Sequence, residues 1–202
     1  MTTTLGVTGG IGSGKTAVCR VFEDLGARVF YADAEAKKLM EEDPGARADI
    51  VAAFGPESYD AGGRLNRAYL AAKVFGDEAN VARINAIVHP RVFAAFERAR
   101  EQAEQDGVEL LAYEAALIFE AGGERRFDAV AVVDAPEDVR IRRVVARDGV
   151  APEQVRARMD HQLPPAELRR RADFVIDNAG PLEDLREQVE RVYRAMVQEE
   201  QL

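Results

Sequence analysis

Leu5-Gly6-Val7-Thr8-Gly9-Gly10-Ile11-Gly12-Ser13-Gly14-Lys15-Thr16 passes from a short apolar run through a glycine-rich turn into a helix. Gly9–Thr16 satisfies G-x-x-x-x-G-K-[ST]. Val18, Val21, Phe22 and Leu25 then fall on one face of a helix that starts near Lys15 and ends at Gly26. Glycines let the backbone curl so that successive N–H groups converge on one anion, and the helix N-terminus adds its partial positive charge. In such a loop Lys15 reaches the terminal phosphates and Thr16 holds Mg²⁺ through its hydroxyl. A dinucleotide fingerprint starting at Gly10 fails, because it needs a glycine where Lys15 stands. The stretch predicts nucleoside triphosphate binding.

Outward from this loop the chain alternates strands and helices. Arg28-Val29-Phe30-Tyr31-Ala32 reads as a second strand with Asp33 at its end, completing a βαβ unit whose strands run parallel in one sheet. From Ala34 to about Gly107 the pattern is mostly helical. Pro44 suits a first helical position after Asp43, Gly55-Pro56 and Gly62-Gly63 mark turns, and Asn66 and Asp77 cap helices over 67–75 and 78–88. His89-Pro90 breaks the pattern, and Val92, Phe93, Phe96, Ala99 and Ala103 resume helical spacing up to Gly107. Strands return at 109–113 and 129–133; the second is a continuous apolar run, as a parallel strand buried on both faces requires. A helix over 137–147, the strand Phe174-Val175-Ile176 and a final helix opened by Gly180-Pro181 complete the series. Five strands with crossover helices predict a three-layer α/β fold.

The 202 residues fit one domain with a full core, and 47 % hydrophobic with 31 % charged residues excludes a wholly disordered chain. Cys19 is the single cysteine, which excludes an internal disulfide and a multi-cysteine zinc site; packing in the first helix is its expected role. A net charge of -9 removes an overall basic nucleic-acid footprint. No basic start precedes an apolar stretch at Met1, and no run approaches the roughly 20 apolar residues of a membrane span. The expectation is a soluble, cytoplasmic protein without nucleic-acid or membrane partners. Four lysines stand against 23 arginines; coding bias and salt adaptation are both open explanations.

Two classes of phosphate-loop protein fit this length. A GTPase switch should carry N-K-x-D, and none of Asn66, Asn80, Asn85 or Asn178 is followed by lysine. A small-molecule kinase needs a base near the acceptor hydroxyl, an acceptor pocket, and cations to offset charge on the transferring phosphoryl group. Asp33 is the candidate base, since ligands of open α/β sheets bind at the carboxyl ends of strands; a helix N-cap on 34–41 is the competing reading. Cations concentrate between Arg140 and Arg171, where nine arginines and four acids give +5 and leave -14 on the remainder. Such a segment fits an arginine-bearing flap over polyphosphate, with about half of its arginines forming a solvated face. Arg143 and Arg147 are four apart and share a helix face.

Taken together, these features resemble the dephospho-coenzyme A kinase family over almost the whole chain. Val7–Thr16 looks like that family's phosphate loop, with its Thr-Gly-Gly-Ile-Gly-Ser-Gly-Lys core. Ala32-Asp33-Ala34 matches the first Asp of an Asp-Ala-Asp segment, and Val88-His89-Pro90 matches a His-Pro motif. Leu117-Ile118-Phe119-Glu120 looks like the Pro-Leu-Leu-x-Glu segment, and Arg143-x-x-x-Arg147-Asp148 like the lid arginines. Arg158-Met159-x-x-Gln162 and Ala172–Asn178 match two further stretches. The chain departs at Ala116, where the family usually has proline, and at Arg140, where it often has glutamine; Glu114 occupies a variable position.

The resemblance implies a P-loop kinase fold: a five-stranded parallel sheet built from 1–33, 108–136 and 173–202, a helical acceptor-binding segment at 34–107, and a lid at 137–172. It implies ATP-dependent phosphorylation of the ribose 3′-hydroxyl of dephospho-CoA, the last step of CoA synthesis. Asp33 then accepts the hydroxyl proton, and Lys15 and Arg143 act on the transferring group. Gly10, Ile11, Gly12, Ser13, Gly14, Lys15, Thr16 and Ala17, with Arg147, hold ATP, and Thr16 binds Mg²⁺. Thr8, Asp33 and His89 border the acceptor, although for His89 a structural role, capping a helix or bonding a backbone carbonyl, is the leading reading. His161 is expected on the surface of the lid. A kinase of similar size acting on a nucleoside monophosphate or a sugar, and a non-enzymatic nucleotide-dependent switch, are the competing functions.

Overall fold

The computed structural model describes residues 1–74 and 76–198. The expected strands form at β1 (Thr3–Thr8), β2 (Arg28–Tyr31), β3 (Leu110–Glu114), β4 (Ala129–Asp134) and β5 (Phe174–Asp177). All pair in parallel, in the order β2-β3-β1-β4-β5. The loop-bearing strand β1 is therefore central, with Val7 level with Glu114 on one side and Thr8 level with Val132 on the other. By Cα proximity the chain falls into two compact units, one of Met1–Tyr31 and the residues from Arg100 onward, the other of Ala32–Ala99.

In the first unit, α1 (Lys15–Asp24) and α9 (Leu182–Gln198) carry apolar stripes that cover one sheet face. Val18 and Phe22 of α1 and Leu185 and Val189 of α9 join Leu5, Val7, Leu110, Ala112, Ala131 and Val133 in one buried cluster. The opposite face of β1 presents Thr4, Gly6 and Thr8. Phe127 and Ile118 press so closely on Gly6 that a Cβ there would stand 2.8 Å and 3.1 Å from them. The region expected as a lid consists of α6 (Glu137–Asp148), α7 (Pro152–Met159) and α8 (Pro165–Arg171). Its small core of Ile141, Val144 and Val155 receives Ile11 from the glycine-rich loop.

The second unit contains α2 (Ala32–Glu42), α3 (Pro44–Phe54), α4 (Arg67–Val74) and most of α5 (Glu78–Gln105) around Ile50, Phe54 and Leu70. Both expected caps are made, Tyr69 donating to Asn66 at 3.2 Å and Asn80 to Asp77 at 3.1 Å; Pro44 opens α3 as expected, and Asp43 caps it by accepting from Ala46 at 2.6 Å. The helix expected over 67–75 is described to Val74, and Phe75 lies outside the described residues. The expected break at His89-Pro90 does not occur, because α5 is one 28-residue helix with Pro90 inside it. A proline cannot donate to the carbonyl four residues back and tends to open that turn. Here Arg91 braces it, donating to the Ile87 carbonyl at 2.7 Å while pairing with Asp49 at 2.7 Å and Asp43 at 3.3 Å. Among the described residues no helix is long and apolar enough to cross a membrane.

Candidate active site

β1 ends at Thr8 and α1 begins at Lys15, so the loop between them lies at the carboxyl edge of the sheet. Its outer side is tightly backed. A Cβ on Gly12 would stand 2.4 Å from the Arg140 carbonyl oxygen, and one on Gly14 would stand 2.0 Å from Asn178 Nδ2. Both residues have positive φ, +79° and +94°, so glycine is required by conformation as well as by space. Lys15 Nζ bonds the Gly9 carbonyl at 3.0 Å and lies 3.9 Å from Glu114 Oε1. Thr16 is exposed in the first turn of α1, while the Ala17 N–H is taken by the Gly14 carbonyl at 2.9 Å. Thr8 Oγ1 and Ser13 Oγ are buried without a hydrogen-bond partner among the described residues.

A ring of side chains grips the loop from outside. Arg140, only 6 % exposed, donates through Nε to the Ile11 carbonyl at 3.0 Å. Burial holds the pKa of its guanidinium below the ordinary value, and the carboxylates of Asp134 and Glu137 offset only part of that. Gln162 Oε1 accepts the Ile11 N–H at 2.8 Å. Asn178 Nδ2 donates to the Ser13 carbonyl at 2.8 Å. Arg143 joins it there at 3.3 Å and also donates to the Asn178 carbonyl at 2.9 Å, so Arg143 reaches the loop through backbone oxygens. Arg147 points elsewhere, forming a two-pronged pair with Asp148 at 2.6 Å and 2.9 Å. Arg142, Arg156, Arg158, Arg169 and Arg170 are likewise exposed and paired with acids. His161 is exposed. Beside Arg140 and Gln162 opens a cavity of about 630 Å³, bordered also by Asp134, Glu137 and Arg169.

Asp33 and His89 belong to the second unit. Asp33 is exposed in the first turn of α2, which begins at Ala32, so it does not occupy the N-cap position. His89 is exposed within α5, and partial desolvation of its ring holds its pKa below the ordinary histidine value. Cys19 is fully buried in α1; burial first, and then the charges of Glu114 and Glu23, push its thiol pKa far up, which suits packing and leaves no reactive thiolate.

Sequence reasoning assigned no role to Glu114, Arg140, Gln162 or Asn178. For Glu114 the signal was present: the apolar run Leu110–Tyr113 ends in a carboxylate, which β3 delivers 9 % exposed beside Lys15. The other three act through backbone atoms of a loop 129 to 165 residues away in the chain, and residue type alone does not announce that.

A family model described as Dephospho-CoA kinase matches residues 3–184. The dephospho-CoA kinase of Salinibacter ruber is 58 % identical over 194 residues, covering 96 % of this chain and 98 % of that one. That of Chlorobaculum tepidum is 43 % identical over 197 residues, covering 96 % and 94 %. Among solved structures, TT1252 from Thermus thermophilus superposes with a TM-score of 0.85 at 36 % identity, covering 96 % of this chain and 97 % of that chain. The family match runs unbroken from β1 past Asn178, through the backed glycine loop and the arginine segment, and by it the chain belongs to the dephospho-CoA kinase family.

Proposed function

We propose that the protein transfers the γ-phosphoryl group of ATP to the ribose 3′-hydroxyl of dephospho-CoA, giving CoA and ADP. The observation that carries this reading is the near-full-length family match, which coincides with a loop shaped for polyphosphate. In the reaction the acceptor oxygen attacks the γ-phosphorus, the bond to the β-phosphate oxygen breaks, and ADP departs with that electron pair. Asp33 takes the proton released by the hydroxyl. Its place in the first turn after β2, outside the N-cap position, supports this role over capping.

The loop N–H groups and Lys15 offset charge that moves onto the leaving ADP. The Thr8 hydroxyl, 0 % exposed at the loop entrance and without a hydrogen-bond partner among the described residues, suits a contact to substrate, since buried hydroxyls are rarely left unpaired. Thr16 and Glu114 are the residues that would hold a magnesium ion: one offers a hydroxyl at the helix start, the other a buried carboxylate beside Lys15. When bound there, the ion would supply positive charge that offsets the negative charge of the polyphosphate. Arg143 holds the loop's outer side in this structure, and Arg147 would reach phosphate by leaving Asp148.

The test is turnover of purified protein with ATP and dephospho-CoA beside AMP, CMP and gluconate, following ADP release and the mass of the product. Dephospho-CoA should be phosphorylated well ahead of the others. Preference for another acceptor would overturn the substrate assignment, and slow hydrolysis indifferent to every acceptor would mark a switch.

A further inference from the structure

We propose that Arg140 and Asn178 are positioning residues that lock two peptide planes of the glycine-rich loop, so that the Gly12 and Gly14 N–H groups face the bound polyphosphate. This deepens the nucleotide reading above and rests on it. In a trans peptide the C=O and the following N–H point in opposite directions, and the described chain has no cis peptide bond. The Ile11 carbonyl and the Gly12 N–H belong to one such plane. Arg140 holds that carbonyl outward at 3.0 Å, which turns the Gly12 N–H the other way. The Ser13 carbonyl and the Gly14 N–H form the second plane. Asn178 Nδ2 holds that carbonyl outward at 2.8 Å, aided by Arg143 at 3.3 Å.

The intervening amides are already used. The Ile11 N–H goes to Gln162 at 2.8 Å and the Ser13 N–H to the Gly10 carbonyl at 3.0 Å. The Gly12 and Gly14 N–H groups have no hydrogen-bond partner among the described residues. The need for an outside hold follows from the glycines themselves. Only glycine tolerates this backing, yet glycine also lets a peptide plane turn over at little cost. A turned plane would aim a carbonyl oxygen at the phosphates and repel them. Asn178 is itself well fixed: it is 6 % exposed, its N–H bonds the Asp134 carbonyl at 2.8 Å, and its carbonyl accepts from Arg143 at 2.9 Å.

The experiment follows the Gly12 and Gly14 amide ¹⁵N–¹H signals of the full chain during titration with ADP, together with ADP affinity and thermal melting. Both amides should move in the wild type. Arg140→Met should weaken ADP about tenfold, the worth of one charge-assisted hydrogen bond, and suppress the Gly12 response while sparing that of Gly14. Asn178→Ala should do the reverse, with Asn178→Asp, which keeps volume but cannot donate, replacing it if the alanine variant melts below the assay temperature. Arg140→Gln places an amide nitrogen the same number of bonds from Cα as Nε, so it should recover most of the affinity. Arg140→Lys has carbon at that position and should not, although it keeps the charge. Folded Met and Ala variants with wild-type affinity and both amide responses would overturn the inference alone, as would rescue by lysine and not by glutamine. No response of either amide in the wild type would overturn the polyphosphate reading and this inference together.

Discussion

Asp33 follows β2 in the chain and Glu114 closes β3, and the function proposed above gives the two carboxylates different work. Asp33 is exposed in the first turn of α2, and the proposed function makes it the proton acceptor. Asp33→Asn keeps the shape and removes the base. Turnover should fall ~100-fold to ~10,000-fold with ATP affinity unchanged, measured by steady-state kinetics beside nucleotide titration. A loss below about threefold would remove Asp33 from that role. Glu114 is buried 3.9 Å from Lys15, and the proposed function makes it a holder of magnesium. Glu114→Gln should therefore act on metal use: the magnesium concentration for half-maximal turnover should rise about tenfold or more. An unchanged magnesium titration would leave Glu114 as a structural partner of Lys15.

At the scale of the element, type was legible and detail was not. Each expected strand exists, because a βαβ series writes its apolar runs and turn residues locally. β3 was placed at 109–113 and runs Leu110–Glu114, a one-residue shift that put Glu114 outside the strand. Pro90 misled for a different reason: the brace that keeps α5 whole comes from Arg91, whose partners Asp43 and Asp49 lie more than forty residues back in the chain. Arg91→Met should lower stability by about 1–2 kcal/mol and speed amide exchange first around Ile87 and the start of α3. Uniform exchange would show that the helix does not need the brace. The segment 137–172 has its own test. It carries nine of the chain's 27 basic residues, and it is joined to the loop by Ile11 packing and the Gln162 bond. Exchange across it should slow when ATP and dephospho-CoA are both bound; equal exchange in both states would argue against a closing lid.

For the whole molecule, the loop motif was readable from eight consecutive residues, whereas its support was not. Glu114, Arg140, Gln162 and Asn178 reach the loop from four separate parts of the chain, and only the strand order brings them there. No local pattern encodes that order. The same order has a consequence for synthesis. β1 and β2 precede their partners in the chain, yet they do not pair with each other; both pair with β3, and β1 also with β4. On a ribosome, Thr3–Tyr31 emerges with no strand partner until Glu114 has cleared the exit, so protease protection of that segment in stalled chains should begin only once Glu114 is out. Protection in shorter chains would mean that β1 and β2 find another partner. The glycine-rich loop precedes by 165 residues the asparagine that holds its Ser13 carbonyl, so its competence for nucleotide should appear only after Asn178 has been translated.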